Sequence, residues 1–232
     1  MSSSHLSCHY INIQISICFL YLLYIVILGD IKEILSNERV VKMTDAKIKI
    51  VAFAGSLRNG SVNRLLLRSA IKLAPANMLI EELNIHDVPL YNGDVEDEGP
   101  PQSVIDFKES VASADGLLIV SPEYNHGIPA VTKNLIDWAS RRVSHPGNVL
   151  DGKPVSIMTM SGGAMGIGSF VQPQIRQVLV YPGTLVMPNG DVGISGGISN
   201  FDEQGQLVNE LAKSKVEQNL LLFSKWINRL NG

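Results

Sequence analysis

An alternation constrains this chain more than any other feature. From residue 47 to the C-terminus, short apolar runs take turns with longer segments of helical spacing. "KIKIVAFA" (47–54), "MLIEELN" (78–84), "DGLLIVS" (115–121), "PVSIMTMS" (154–161) and "TLVMP" (184–188) read as strands. "SVNRLLLRSAIKLA" (61–74), "SVIDFKESVASA" (103–114), "AVTKNLIDWASRR" (130–142), "FVQPQIRQVLV" (170–180) and "LVNELAKSKVEQNLLLFSKWINRL" (207–230) carry apolar residues at helical intervals. A Pro- and acid-rich loop fills 86–101. The apolar run within 115–121 is of the kind found inside a parallel sheet. The alternation predicts an α/β fold: a doubly wound, five-stranded parallel sheet with helices on both faces.

The N-terminal residues do not fit that pattern. "INIQISICFLYLLYIVIL" (11–28) is apolar apart from Asn12, Gln14 and Ser16. Its uninterrupted part, Ile17 to Leu28, is short for a membrane span, which needs roughly 17–25 residues. A secretory signal would want a basic start and a small-residue cleavage site, and neither is present. An anchor, a signal and an extension outside the fold are the three readings. We take the third: residues 1–42 form an apolar extension and residues 43–232 the functional domain, with a cytoplasmic location expected.

Charge and cysteine content remove several function classes. The net charge is −3 with both signs interspersed, so no basic surface for nucleic acid is expected. The two cysteines, Cys8 and Cys18, both precede the domain. Thiol catalysis, a structural zinc and a disulfide framework are thereby excluded from it. His86, His126 and His145 show no metal-ligand spacing, and no metal is expected.

In doubly wound sheets, ligands bind beyond the carboxyl ends of the strands. Three such loops are rich in small and polar residues: "GSLRNGSVN" (55–63), "SPEYNHGIPA" (121–130) and "SGGAMGIGS" (161–169). In the first, Gly55 permits a tight turn, Ser56 and Ser61 offer hydroxyls, and Asn63 can cap or donate near the start of the following helix, whose N-terminal amides attract an anion. Arg58 adds a full charge, which makes a phosphate site. The structural alternative is a turn with a serine cap. Gly60 is followed by Ser61 and not Lys, so the loop is no triphosphate-binding motif.

"SPEYNHGIPAVTKNLIDWASR" (121–141) resembles the flavin loop of the NADPH-dependent FMN reductases, which include chromate, quinone and azo reductases and the plant NADPH:quinone oxidoreductases. Pro122, Glu123, Tyr124, Asn125, Pro129, Lys133, Asn134, Asp137, Trp138, Ser140 and Arg141 carry the likeness. The first loop resembles the same family's G-S-L-R-x-G-S-x-N. Gly127 stands where serine is frequent, and Ala130 where glycine is frequent. The likeness spans about residues 46–231.

The resemblance implies a flavodoxin-like domain that binds FMN, with NADPH or NADH as co-substrate. It implies that Ser56, Arg58, Ser61, Val62 and Asn63 hold the phosphate and that Pro122, Glu123, Tyr124 and Asn125 face the ring. Ser161, Gly162 and Gly163 would let the backbone approach the ring or ribityl chain. For Glu123, bracing the loop and facing a neighbouring subunit both stay open. The implied reaction is a ping-pong, two-electron transfer to a small-molecule acceptor such as a quinone, an azo dye or chromate. The flavin carries the chemistry, so no catalytic acid or base is assigned. A homodimer or homotetramer is implied. A flavodoxin-type electron carrier is the alternative function, and a flavin-binding regulatory protein a third. The sequence "GISGG" (193–197) fits a nucleophile-elbow pattern, but no helix follows it, so it reads as a surface loop.

Overall fold

The computed structural model describes residues 47–163 and 167–232. The apolar segment 11–28, and with it the reading of residues 1–42, lies outside the described residues. Six strands form one parallel sheet: β1 (Ile48–Ala54), β2 (Met78–Glu82), β3 (Gly116–Val120), β4 (Pro154–Met160), β5 (Leu185–Val186) and β6 (Val192–Ile194). The order is β2-β1-β3-β4-β5, with β6 also pairing with β4. This is the flavodoxin-like order. The helices are α1 (Val62–Lys72), α2 (Gly93–Asp97), α3 (Gln102–Ser113), α4 (Ala130–Ala139), α5 (Val171–Val180) and α6 (Glu210–Leu230).

The pleat sorts the core into two layers. Side chains alternate across a strand, so Ile50, Ala52 and Ala54 of β1 pack with Leu66 and Leu67 of α1 and Leu220 and Phe223 of α6. Val51 and Phe53 pack on the opposite face with Phe107 of α3, Leu135 of α4 and Ile175 of α5. The expected two-faced architecture is therefore present.

Two elements differ from the sequence reading. The fifth position in the sheet holds a broken strand: β5 pairs with Pro154 and Val155, and β6 with Met158–Met160. Gly193 and Ile194, expected in a surface loop, are in β6 and pair with Thr159 and Met160. The break is pinned by Arg176 of α5, which donates to both oxygens of Asp191 at 2.8 and 2.7 Å and to the Met187 carbonyl at 2.7 Å. Burial pushes the Asp191 carboxyl above its ordinary range, and the hydrogen bond and charge of Arg176 oppose that shift.

The second difference lies in the loop 86–101, which contains the short helix α2. Residues of the resemblance motif hold this loop. Asn134 accepts from the Tyr91 amide at 2.7 Å and donates to the Pro89 carbonyl at 2.8 Å. Trp138 Nε1 donates to the same carbonyl at 2.9 Å. Arg141 lies over the Tyr91 ring, 4.9 Å from its centroid. Sequence order reverses between β1 and β3, and a crevice opens there at the carboxyl ends of the strands.

Candidate active site

The first loop leaves β1 under a tight constraint. The Gly55 amide donates to the Val120 carbonyl of the neighbouring strand at 2.8 Å. A Cβ on Gly55 would lie 1.9 Å from Thr132 Oγ1, which is itself held 2.9 Å from Ser121 Oγ. Only glycine passes this point. Ser61 then caps α1, its Oγ accepting from the Arg64 amide at 3.4 Å. Val62 and Asn63, the first two residues of α1, have no carbonyl one turn back, so their amides face outward at the positive end of the helix. Arg58 is exposed and forms no ion pair among the described residues.

The Asn63 side chain has another task. Its Nδ2 donates to the Met160 carbonyl at 2.8 Å, and its Oδ1 accepts from the Met160 amide at 2.9 Å. The buried amide thus acts as a strand surrogate that joins the start of α1 to the end of β4. Both of its polar atoms are engaged, which leaves the backbone as this residue's contribution to the crevice.

The second loop is a hairpin. Tyr124 and Gly127 exchange backbone hydrogen bonds at 3.2 and 2.9 Å. Asn125 and His126 between them have φ of 51° and 59°. Two positive φ values define a type I′ turn, which favours Asn first and Gly second. His126 occupies the glycine-favouring position and is held there. Gln174 donates to its carbonyl at 2.9 Å, and its ring packs edge-on to Phe170 with centroids 4.6 Å apart. Tyr124 reaches the first loop, its hydroxyl 3.2 Å from Ser56 Oγ. Glu123 reaches α5: its Oε2 accepts from the Phe170 and Val171 amides, both at 3.0 Å, and its Oε1 lies 3.3 Å from His126 Nδ1. Of the two roles left open for Glu123, bracing is the one that this geometry supports.

The third loop is joined to the last strand. Ser161 donates its amide to Ile194 at 3.0 Å, and Gly197 donates to Ser161 at 2.9 Å. Gly197 has φ of 50°, and a Cβ there would lie 3.0 Å from Gly162 Cα. A Cβ on Gly162 or Gly163 would meet no atom within 4 Å among the described residues.

The loops enclose a crevice of about 630 Å³. Its lining contains every expected cofactor residue: Ser56, Arg58, Ser61, Val62, Asn63, Pro122, Glu123, Tyr124, Asn125, Ser161, Gly162 and Gly163. The volume lies in the range of small-molecule sites. Among the described residues no cluster of three metal-ligating side chains occurs.

The family model described as NADPH-dependent FMN reductase matches residues 48–198. The chain belongs to the NADPH-dependent FMN reductase family. It is 40% identical over 185 residues to the NAD(P)H-dependent FMN reductase of Pseudomonas aeruginosa, covering 80% of this chain and 98% of that one. It is likewise 40% identical over 188 residues to the quinone reductase of Escherichia coli K12, covering 79% and 97%. Among solved structures, the flavoenzyme NAD(P)H:(acceptor) oxidoreductase of Paracoccus denitrificans superposes with a TM-score of 0.70 at 29% identity, covering 78% of this chain and 97% of that one.

Within this FMN reductase chain, the expected cofactor set leaves out five lining residues: Gly60, His126, Met160, Gly197 and Ile198. Gly60 and His126 lie inside loops already singled out, and Met160 is the strand end beside Ser161. Gly197 and Ile198 follow β6. The rule that ligands sit beyond strand carboxyl ends finds them once the last strand is placed at 192–194.

Proposed function

We propose that this chain is an FMN-dependent NAD(P)H oxidoreductase that delivers two electrons to quinone-type acceptors. The observation that carries the reading is the convergence of three loops on one crevice that offers unlike chemistry at its two ends. At one end are the Arg58 guanidinium and the free amides of Val62 and Asn63, a match for a phosphate. At the other are the Pro122–Asn125 backbone and the Gly162–Gly163 backbone, where two glycines let a planar ring approach closely. FMN, when bound, supplies the hydride chemistry. The protein residues bind the phosphate, present backbone donors and acceptors to the ring edge, and leave one ring face open to NAD(P)H and acceptor in turn. One shared face supports a ping-pong order.

Quinones are the acceptor class we assign first; azo dyes and chromate are further candidates for so open a face. The reductase domain begins near residue 43, since about four-fifths of this chain spans nearly the whole of its relatives. Tyr124, Phe170 and Ile198 are exposed on the crevice or beside it, at 51, 53 and 63%. This exposed rim suits cover by a second copy of the chain, and we propose a homodimer or homotetramer. Among the described residues no helix is long and apolar enough to cross a membrane, and we propose a cytoplasmic location.

The test is spectroscopic. The purified full chain, loaded with FMN, should lose its flavin absorbance on anaerobic addition of NADPH and regain it with benzoquinone. A flavin spectrum unmoved by both NADPH and NADH would turn the assignment toward a carrier without nicotinamide turnover.

A further inference from the structure

The sequence holds four Asn-Gly pairs, at 59–60, 92–93, 189–190 and 231–232. In such a pair the glycine nitrogen can attack the asparagine side-chain carbonyl, because no Cβ on the glycine shields it. Asn59–Gly60 is well arranged for that attack. The Ser61 amide donates to the Arg58 carbonyl at 3.1 Å, so Asn59 and Gly60 form the corner of a turn, and both are exposed. Among the described residues, the side-chain hydrogen bonds of the loop join the Arg58 amide to Ser56 and the Arg64 amide to Ser61, and they leave out the Asn59 side chain and the Gly60 amide.

Positive charge lies beside that free amide. Arg58 Nε is 4.0 Å from where a Cβ on Gly60 would stand, and α1 begins two residues further on. A cation and a helix N-terminus both favour the deprotonated nitrogen that does the attacking. Asn92–Gly93 is the contrast. Asn92 Oδ1 accepts from the Asp94 amide at 3.0 Å, which holds the side chain as a helix cap, and Asp94 and Glu96 bring negative charge.

We propose that Asn59 is a site of spontaneous deamidation and that bound FMN protects it. The proposal rests on the flavin reading of the crevice given above. The Gly60 nitrogen bonds to the Asn59 side-chain carbonyl carbon. The bond from that carbon to the side-chain nitrogen breaks, and ammonia leaves with the proton lost by Gly60. Water then opens the five-membered ring at either carbonyl and leaves aspartate or isoaspartate at position 59. Either product sets a carboxylate beside Arg58 and the first amides of α1, where it competes with the phosphate. A bound phosphate occupies Arg58 and covers Gly60, since both line the crevice. The flavin-free chain therefore loses with age its capacity to be loaded.

The full chain, stripped of flavin or loaded with FMN, is aged at mildly alkaline pH, and peptide mass mapping reads each asparagine separately. In the stripped chain Asn59 should convert faster than Asn92, and Asn59→Gln should abolish that conversion. Gly60→Ala should slow it; alanine fits there, because Gly60 has no positive φ and no atom lies closer than 4.0 Å to a Cβ. In the loaded chain conversion at Asn59 should nearly stop. Asn189 and Asn231, which with their glycines lie outside the crevice lining, should convert as before. Asn59→Asp should raise the FMN dissociation constant about five-fold, the upper reach of an exposed ion pair with Arg58. Asn59 intact while Asn92 converts, equal rates at Asn59 with and without bound FMN, or unchanged FMN affinity after Asn59 has converted overturns the proposal. A chain that never takes up FMN would count against the flavin reading and the protection together, while the order of Asn59 and Asn92 still decides the modification.

Discussion

Arg58 supplies the one full charge of the first loop, and its proposed effect on FMN can be separated from that of the Pro122–Asn125 loop. Arg58→Ala should raise the FMN dissociation constant about ten- to 150-fold, from the roughly 1.5–3 kcal/mol of a hydrogen bond to a charged group. Riboflavin, which lacks the phosphate, should be affected far less. Fluorescence titration of both flavins checks this, and equal losses would place Arg58 elsewhere than at the phosphate. At this scale the sequence was legible where residue type alone carries the chemistry, as with the capping Ser61. It was not legible at Asn63. Pairing of its amide with Met160, 97 positions away, depends on how α1 seats against β4. No local pattern encodes that seating.

Elements are joined by side chains that look like ligands in a linear reading. The Glu123 carboxylate is only 7% exposed and accepts the first amides of α5, where a negative charge favours the helix. Glu123→Ala should cost about 1–2 kcal/mol of stability, as for loss of a strong helix cap, measured by urea denaturation. FMN affinity should fall with it, because the Pro122–Asn125 backbone loses its tie to α5. The motif Asn134, Trp138 and Arg141 carries a similar lesson: it follows the flavin loop in sequence yet fastens the segment around Tyr91. Long elements such as β1, α1, β3 and α6 were readable because burial imprints a period on seven or more residues, or an unbroken apolar run on five. Strand β6 has three residues with a glycine in the middle, too few to show a period, and only the Met158–Met160 register reveals it.

Across the whole molecule, burial of charge leaves a mark on pH dependence. The fully buried Lys108 donates to the carbonyls of Arg141 and Ser144 and to Ser144 Oγ. Loss of hydration pushes its amine below the ordinary value, while Glu96 pulls it up and Arg141 pushes it further down. The unfolded chain therefore holds this proton more tightly than the folded one. Stability contributed here rises with pH between the lowered value and the ordinary lysine value of about 10.4, and is lost as pH falls through the lowered value. Denaturant midpoints at pH 7 and pH 10 should show that Lys108→Met removes this component of the rise. The broken fifth strand matters at the same scale, for molecules in company. The outermost strand of any open sheet exposes unpaired backbone groups that can recruit a strand from another chain. Among the described residues, the β5–β6 side offers runs of only two and three residues with Pro188 between them, and the β2 side ends in the exposed carboxylates of Glu81 and Glu82. Neither margin presents a long, flat, uncharged template, so crowding should not drive this sheet to propagate into fibrils.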